Sequence, residues 1–117
     1  MKKNLWWIVS LFFILPMTAQ GAGAIAVDDE VGETEPGYGY VTGAESRDKA
    51  GQDALKQCRE NGNEHCKVVA RFDECGAYVA SKKYYGVGWG SSKEAAVSMA
   101  TEKCGTHNCR VVVAECE

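Results

Sequence analysis

The chain has no uninterrupted apolar run of the roughly 20 residues that a membrane-spanning helix requires; its one apolar stretch, Leu5 to Leu15, is stopped by Pro16. It has no surplus of positive charge. Thirteen Lys and Arg stand against 16 Asp and Glu, whereas neutralising a nucleic-acid backbone needs an excess of cations, so a nucleic-acid partner is excluded. No Cys-x-x-Cys pair occurs among the six cysteines, and only two histidines, His65 and His107, stand near them. That spacing argues against a zinc site, and no metal or other cofactor is expected. Neither histidine is joined by motif to a serine or free thiol, and the carboxylates Asp73, Glu74 and Glu115 only precede cysteines, as strand-end charges do. No catalytic constellation results, and the expectation is a protein that is not an enzyme. Gly86, Gly88 and Gly90 form a Gly-x-Gly-x-Gly series, but it lacks the lysine of a phosphate loop and the order of a dinucleotide fingerprint.

What the chain does have at its start is the pattern of a secretory leader: a basic Met1-Lys2-Lys3, the apolar run, then small residues. No cysteine lies near the cleavage region, so no lipid anchor is expected to hold the mature protein to a membrane. Ala24 satisfies the small-x-small cleavage rule most strictly, but a cut there would trim a segment that recurs later, so the leader is expected to span residues 1–22, with cleavage near Ala19 or Ala22. Without Lys2 and Lys3 the basic count falls to 11 against 16 acids, a net charge of −5. The remaining 23–117 is one exported domain, periplasmic or secreted, with a thin core for its size.

That domain is a tandem repeat. Ser46 to Cys58 aligns without a gap on Ser92 to Cys104, matching Ser46 with Ser92, Arg47 with Lys93, Asp48 with Glu94, Ala50 with Ala96, Ala54 with Ala100 and Cys58 with Cys104. Gly23 to Val27 likewise matches Gly76 to Ala80. Each serine is placed to cap a helix whose Ala, Ala, Cys stripe repeats every four residues, and Gly62 and Gly105 stand where a left-handed C-cap is wanted. In the second copy Ser91 with Glu94 also has capping-box spacing, which leaves that N-cap open by one residue. The valine-rich runs Lys67 to Phe72 and Arg110 to Ala114 have strand length and composition and are the expected central strands. The predicted fold is α+β: two pseudo-symmetric β-β-α-β repeats, 23–75 and 76–116, forming an antiparallel sheet with two helices on one face, stabilised by disulfides.

Six cysteines in a small exported chain form a disulfide framework. Respecting the repeat and favouring short loops, the preferred pairing joins Cys58 with Cys66, Cys104 with Cys109, and Cys75 with Cys116 across the halves.

Function is expected where the copies differ. The first turn of copy one carries Asp28, Asp29, Glu30, Glu33 and Glu35, against Ser81-Lys82-Lys83 in copy two. The acidic turn is a candidate recognition loop for a cationic partner, weighed against a plain solvated turn. Tyr38 and Tyr40 in copy one and Tyr85 and Trp89 in copy two alternate with glycine; exposed, they would make a patch suited to a protein or sugar ligand.

The doubled Gly/aromatic strand, serine, Ala-x3-Ala-x3-Cys and valine-rich strand ending in a cysteine resembles the secreted bacterial family known as domain of unknown function 4189, over Gly23 to Cys116. The resemblance implies no activity and no site residues. In copy one Tyr40-Val41-Thr42 stands where copy two has Gly88-Trp89-Gly90, so a function tied to that motif would belong mainly to copy two. The expected function is a small exported, disulfide-stabilised protein-binding module acting as an inhibitor or immunity-type partner of a secreted toxin or cell-wall hydrolase. The competing readings are a secreted factor acting on host cells and an enzyme with an unrecognised site.

Overall fold

The computed structural model describes residues 21–30 and 35–117. The expected leader, apart from Gly21 and Ala22, and the acidic Glu33 lie outside the described residues. The elements run β1 (Ala22–Asp28), β2 (Gly37–Ala44), α1 (Arg47–Glu60), β3 (Lys67–Phe72), β4 (Cys75–Ala80), β5 (Tyr85–Gly90), α2 (Lys93–Cys104) and β6 (Arg110–Cys116).

Both helices start for the same reason. The first N–H groups of a helix have no partner within it, and a serine hydroxyl at the cap supplies one. Ser46 accepts the Lys49 N–H at 3.1 Å and Ser92 accepts the Ala95 N–H at 3.0 Å. Ser92, not Ser91, is therefore the second cap. Gly62 and Gly105 then take φ of 94° and 87°, which a side chain would resist, and the helices end there. The Ala50, Ala54, Cys58 stripe and its copy Ala96, Ala100, Cys104 are buried, and their small side chains let each helix lie close on a sheet. At Gly88 the approach is so tight that a Cβ would overlap the carbonyl oxygen of Ala96.

The α+β class and the doubled β-β-α-β order are as the repeat predicts, but each copy builds its own antiparallel sheet. Their orders are β2-β1-β3 and β5-β4-β6. The expected central strands are edges: β3 and β6 flank β1 and β4. The reason is burial on two faces. All seven residues of β1 and all six of β4 are buried, whereas Lys67 and Arg71 in β3 and Arg110 in β6 reach solvent. Charged side chains on an edge strand guard it against pairing with other chains. β-Branched composition alone does not distinguish a centre from an edge.

Alternation along β1 and β4 sets the layering. Ala22, Ala24 and Ala26 pack on α1, and Cys75, Ala77 and Val79 pack on α2. The opposite faces, with Ile25, Val27, Ala70 and Phe72 from the first copy and Tyr78, Ala80 and Val113 from the second, form a shared core between the sheets. Helices therefore cover two opposite outer faces, giving helix, sheet, sheet, helix layers. The single sheet with both helices on one face is replaced by this sandwich, because each central strand has two apolar faces to bury, one for its own helix and one for the other copy. Across the core β1 lies on β4, β3 on β5 and β2 on β6.

The bridges join Cys58 with Cys66, Cys75 with Cys116 and Cys104 with Cys109. These are the preferred pairs, but Cys75–Cys116 does not cross the halves. Cys75 opens β4 and sits directly opposite Cys116 of β6, so both belong to the second sheet. The second copy thus holds four cysteines and the first two, and the copies divide between Phe72 and Cys75, not after Cys75. The alignment of the Gly/aromatic strands also moves by one residue. Ala24 pairs with Val41 as Ala77 pairs with Gly88, so Val41-Thr42-Gly43 is the counterpart of Gly88-Trp89-Gly90. A β-bulge between Ala22 and Ala24, with Gly43 at φ 72°, accommodates the extra residue of copy one.

Candidate functional site

The acidic turn does not present five free carboxylates. Asp28 is buried at the end of β1, accepting the Glu30 N–H at 2.9 Å and the His65 N–H at 3.1 Å. Those two N–H groups, His65 first, hold its carboxyl below the usual aspartate range although burial pushes the other way. Asp28 is a structural cap, and its candidate role as an exposed recognition residue is corrected. Asp29 forms an ion pair with Lys67 at 3.5 Å, and Glu35 with Arg110 of the other copy. Of the four carboxylates of the turn among the described residues, Asp28 is buried, Asp29 and Glu35 are exposed but paired, and Glu30 is exposed.

Because its pKa is lowered on folding, Asp28 contributes stability that is present above the unfolded value of about 3.9 and lost as pH falls through the folded one. The Asp28→Asn variant should be less stable than the parent by about 1–2 kcal/mol at pH 7, as expected for charge-assisted bonds to backbone. The gap should close below about pH 4. Urea midpoints across pH 2.5–7 check this; a gap independent of pH would show that the carboxylate's charge is not what matters.

The aromatic candidates are exposed. Tyr85 is 55% and Trp89 51% exposed on β5, and Tyr38 and Tyr40 are more than a third exposed on β2. They do not form one patch. β2 borders β6 on one margin of the sandwich and β5 borders β3 on the other, so the rings make two sites on opposite sides. Tyr85 stacks on buried Tyr78, centroids 5.8 Å apart, and the Lys103 ammonium sits 4.5 Å from the centre of the Trp89 ring. Burial, followed by the charge of Asp29 and by Tyr85, pushes the Tyr78 hydroxyl up to about 12. At every physiological pH it stays neutral beneath its neighbour.

A third feature lies at one end, where the β4–β5 hairpin meets the Cys104–Cys109 loop. There a cleft of about 700 Å³ is lined by Lys82, Lys83 and Tyr84 of the hairpin, His107 of the loop, Arg110 and Val111 of β6, and Glu35 and Pro36 of the first copy. Tyr84 stacks on His107 with centroids 3.6 Å apart and planes 9° from parallel. Among the described residues no cluster of His, Cys, Asp and Glu is placed to hold a metal ion, and no helix is long and apolar enough to cross a membrane.

Residues 22–116 match the family described as domain of unknown function DUF4189. The chain belongs to the DUF4189 family. Its fold is similar to the NMR structure of Rv1813c from Mycobacterium tuberculosis, with a TM-score of 0.63 and 27% identity over 89% of this chain and 81% of that one. No curated protein matches it. In this DUF4189 domain the sequence signals pointed to the acidic turn and the Gly/aromatic strands, and missed the cleft beside Tyr84 and His107. The available signal was the register of the two copies: aligned through their strands, Asp28 falls on Ser81, so the buried carboxylate of one copy has no equivalent in the other.

Proposed function

We propose that this DUF4189 protein is an exported, non-catalytic protein-binding module that engages its partner through the aromatic margins of the sandwich. The observation that carries this reading is the exposure of Tyr38 and Tyr40 on one edge strand and Tyr85 and Trp89 on the other. Large rings held on a rigid sheet lose little freedom on binding and are the side chains most often responsible for affinity. Three disulfides and a leader-like N-terminus support export; cleavage after Ala19 would leave β1, which begins at Ala22, whole. A secreted toxin or cell-wall hydrolase is the partner class proposed, with this domain as inhibitor or immunity protein. The net charge of −5 after leader removal favours association with such cationic enzymes through the whole-molecule field.

The test is affinity capture by the mature protein from envelope and culture-supernatant fractions, followed by titration of the isolated partner. Trp89→Ala or Tyr40→Ala should weaken binding about 30-fold, a loss of ~2 kcal/mol typical of a buried interface aromatic, with the thermal midpoint little changed. Which of the two responds identifies the margin in use. Unaltered affinity in both variants would overturn the reading.

A further inference from the structure

In the first copy a side-chain carboxylate closes the turn onto the disulfide loop: Asp28, at the end of β1, accepts the backbone N–H of His65. The strand registers carry this position to the second copy. Val27 pairs with Lys67 as Ala80 pairs with Arg110, so Ser81 stands for Asp28 and Asn108 for His65. Ser81 is a shorter side chain, and its hydroxyl turns to its own hairpin, accepting the Tyr84 N–H at 3.3 Å. Between that hairpin and the Cys104–Cys109 loop lies the cleft of about 700 Å³, a volume usual for small-molecule sites. Its charge opposes that of the molecule. Lys82, Lys83 and Arg110 line it against one carboxylate, Glu35, in a chain whose net charge is −3. Its apolar surface comes from Val111, Val112 and the part of Tyr84 that its stack on His107 leaves uncovered.

We infer that this cleft binds a small organic carboxylate with an apolar body. The ligand's carboxylate takes, against the loop that follows α2, the place that Asp28 holds in the first copy. Arg110 and Lys83 supply the opposing charge, and the valines with Tyr84 cover the apolar part. Glu35 reaches Arg110 from the first copy and forms an ion pair with it; the ligand displaces it, so Glu35 is a competitor built into the site. This site is distinct from the aromatic margins and stands whether or not they bind protein.

The experiment uses the isotope-labelled mature chain with its three disulfides intact, followed by amide NMR. The probes are 3-phenylpropionate and its amide, and an apolar tripeptide with a free or an amidated C-terminus. Saturable shifts at Lys83 and at Thr106 to Arg110 are expected with at least one acid, and binding at least about 10-fold weaker with the matching amide, the worth of a charge-assisted contact. A response to the tripeptide acid alone identifies a peptide C-terminus as the source of the carboxylate; a response to phenylpropionate identifies a free acid. Arg110→Gln should weaken binding about 10-fold and Glu35→Gln should tighten it. Ser81→Asp, which restores the internal carboxylate of the first copy, should abolish it while the spectrum stays dispersed. If Ser81→Asp fails to fold, the Arg110→Gln and Glu35→Gln pair decides. No saturable shifts with either acid, equal binding of acid and amide, or undiminished binding in folded Ser81→Asp would overturn the inference.

Discussion

Replacing Cys75 and Cys116 together by alanine is expected to lower the unfolding free energy by about 2–5 kcal/mol, the range for native bridges in small exported domains. Of the three bridges this one closes the longest loop, 41 residues against 8 and 5. In the chain-entropy account a loop of that length stabilises by about 4 kcal/mol and the short ones by about 2–2.5. The position adds to the effect. Cys75 and Cys116 lie side by side where β4 begins and β6 ends, holding the chain's last strand against the centre of its sheet. In the first copy the corresponding residues are Ala22 and Asp73, and in place of a bridge Asp73 has an exposed ion pair with Arg47 at 2.8 Å. Such pairs contribute about 0–1 kcal/mol. The second sheet should therefore lose more order than the first when its bridge is cut. Urea unfolding with the other bridges intact measures the loss, and hydrogen exchange in β6 against β3 locates it. A loss under about 1 kcal/mol, or equal opening of both edge strands, would contradict this account.

Much of the local structure was legible in the sequence because local chemistry decides it. Ser46 and Ser92 cap their helices, Gly62 and Gly105 take positive φ, and the Ala, Ala, Cys stripes face a sheet; each depends on residues within one or two turns. The strand centres were not legible because centre and edge differ in neighbours, not in intrinsic preference. Val68 and Val69, or Val111 to Val113, suit either place. The charged Lys67, Arg71, Arg110 and Glu115 reported the edge, and the fully apolar Ala22 to Val27 reported the centre. The layering was hidden for a related reason. Glycine and alanine on β1 and β4 read as weak strands, yet they leave room for a helix on one side and for the opposite sheet on the other.

The acidic turn shows the same limit at the site. A run of carboxylates gives no sign in sequence of its partners, the His65 N–H, Lys67 and Arg110, because they lie far along the chain. The buried role of Asp28 was hidden until the loop after α1 was folded over it. The exposure of Tyr85 and Trp89 was a conditional reading that the sheet's edge settles. Alternation placed Gly86, Gly88 and Gly90 under α2 and so turned the rings to the other face. The separation of Tyr38 and Tyr40 from them followed only from how the two sheets stack.

Phe72→Ala is expected to cost about 3–5 kcal/mol, the largest single-residue effect in the protein. Phe72 is 2% exposed and ends β3 with its ring between the sheets. It meets the two equivalent glycines that open the repeats: a Cβ on Gly23 of β1 or on Gly76 of β4 would overlap the ring. The ring thus packs against both central strands at once, and its removal leaves a cavity that neither glycine can fill. Replacement of either glycine by alanine should also destabilise, by about 1–3 kcal/mol, because the added methyl must push the ring aside. The two losses should not add. With the ring gone, the methyl of Gly76→Ala enters vacated space, so the double variant Phe72→Ala/Gly76→Ala should be more stable than the sum of the single losses predicts, by at least about 0.5 kcal/mol, as for residues in direct contact. A four-variant urea series measures this coupling. Strict additivity would mean that the ring does not bridge the two sheets and that the shared core is held by Ile25, Val27, Tyr78 and Val113 instead.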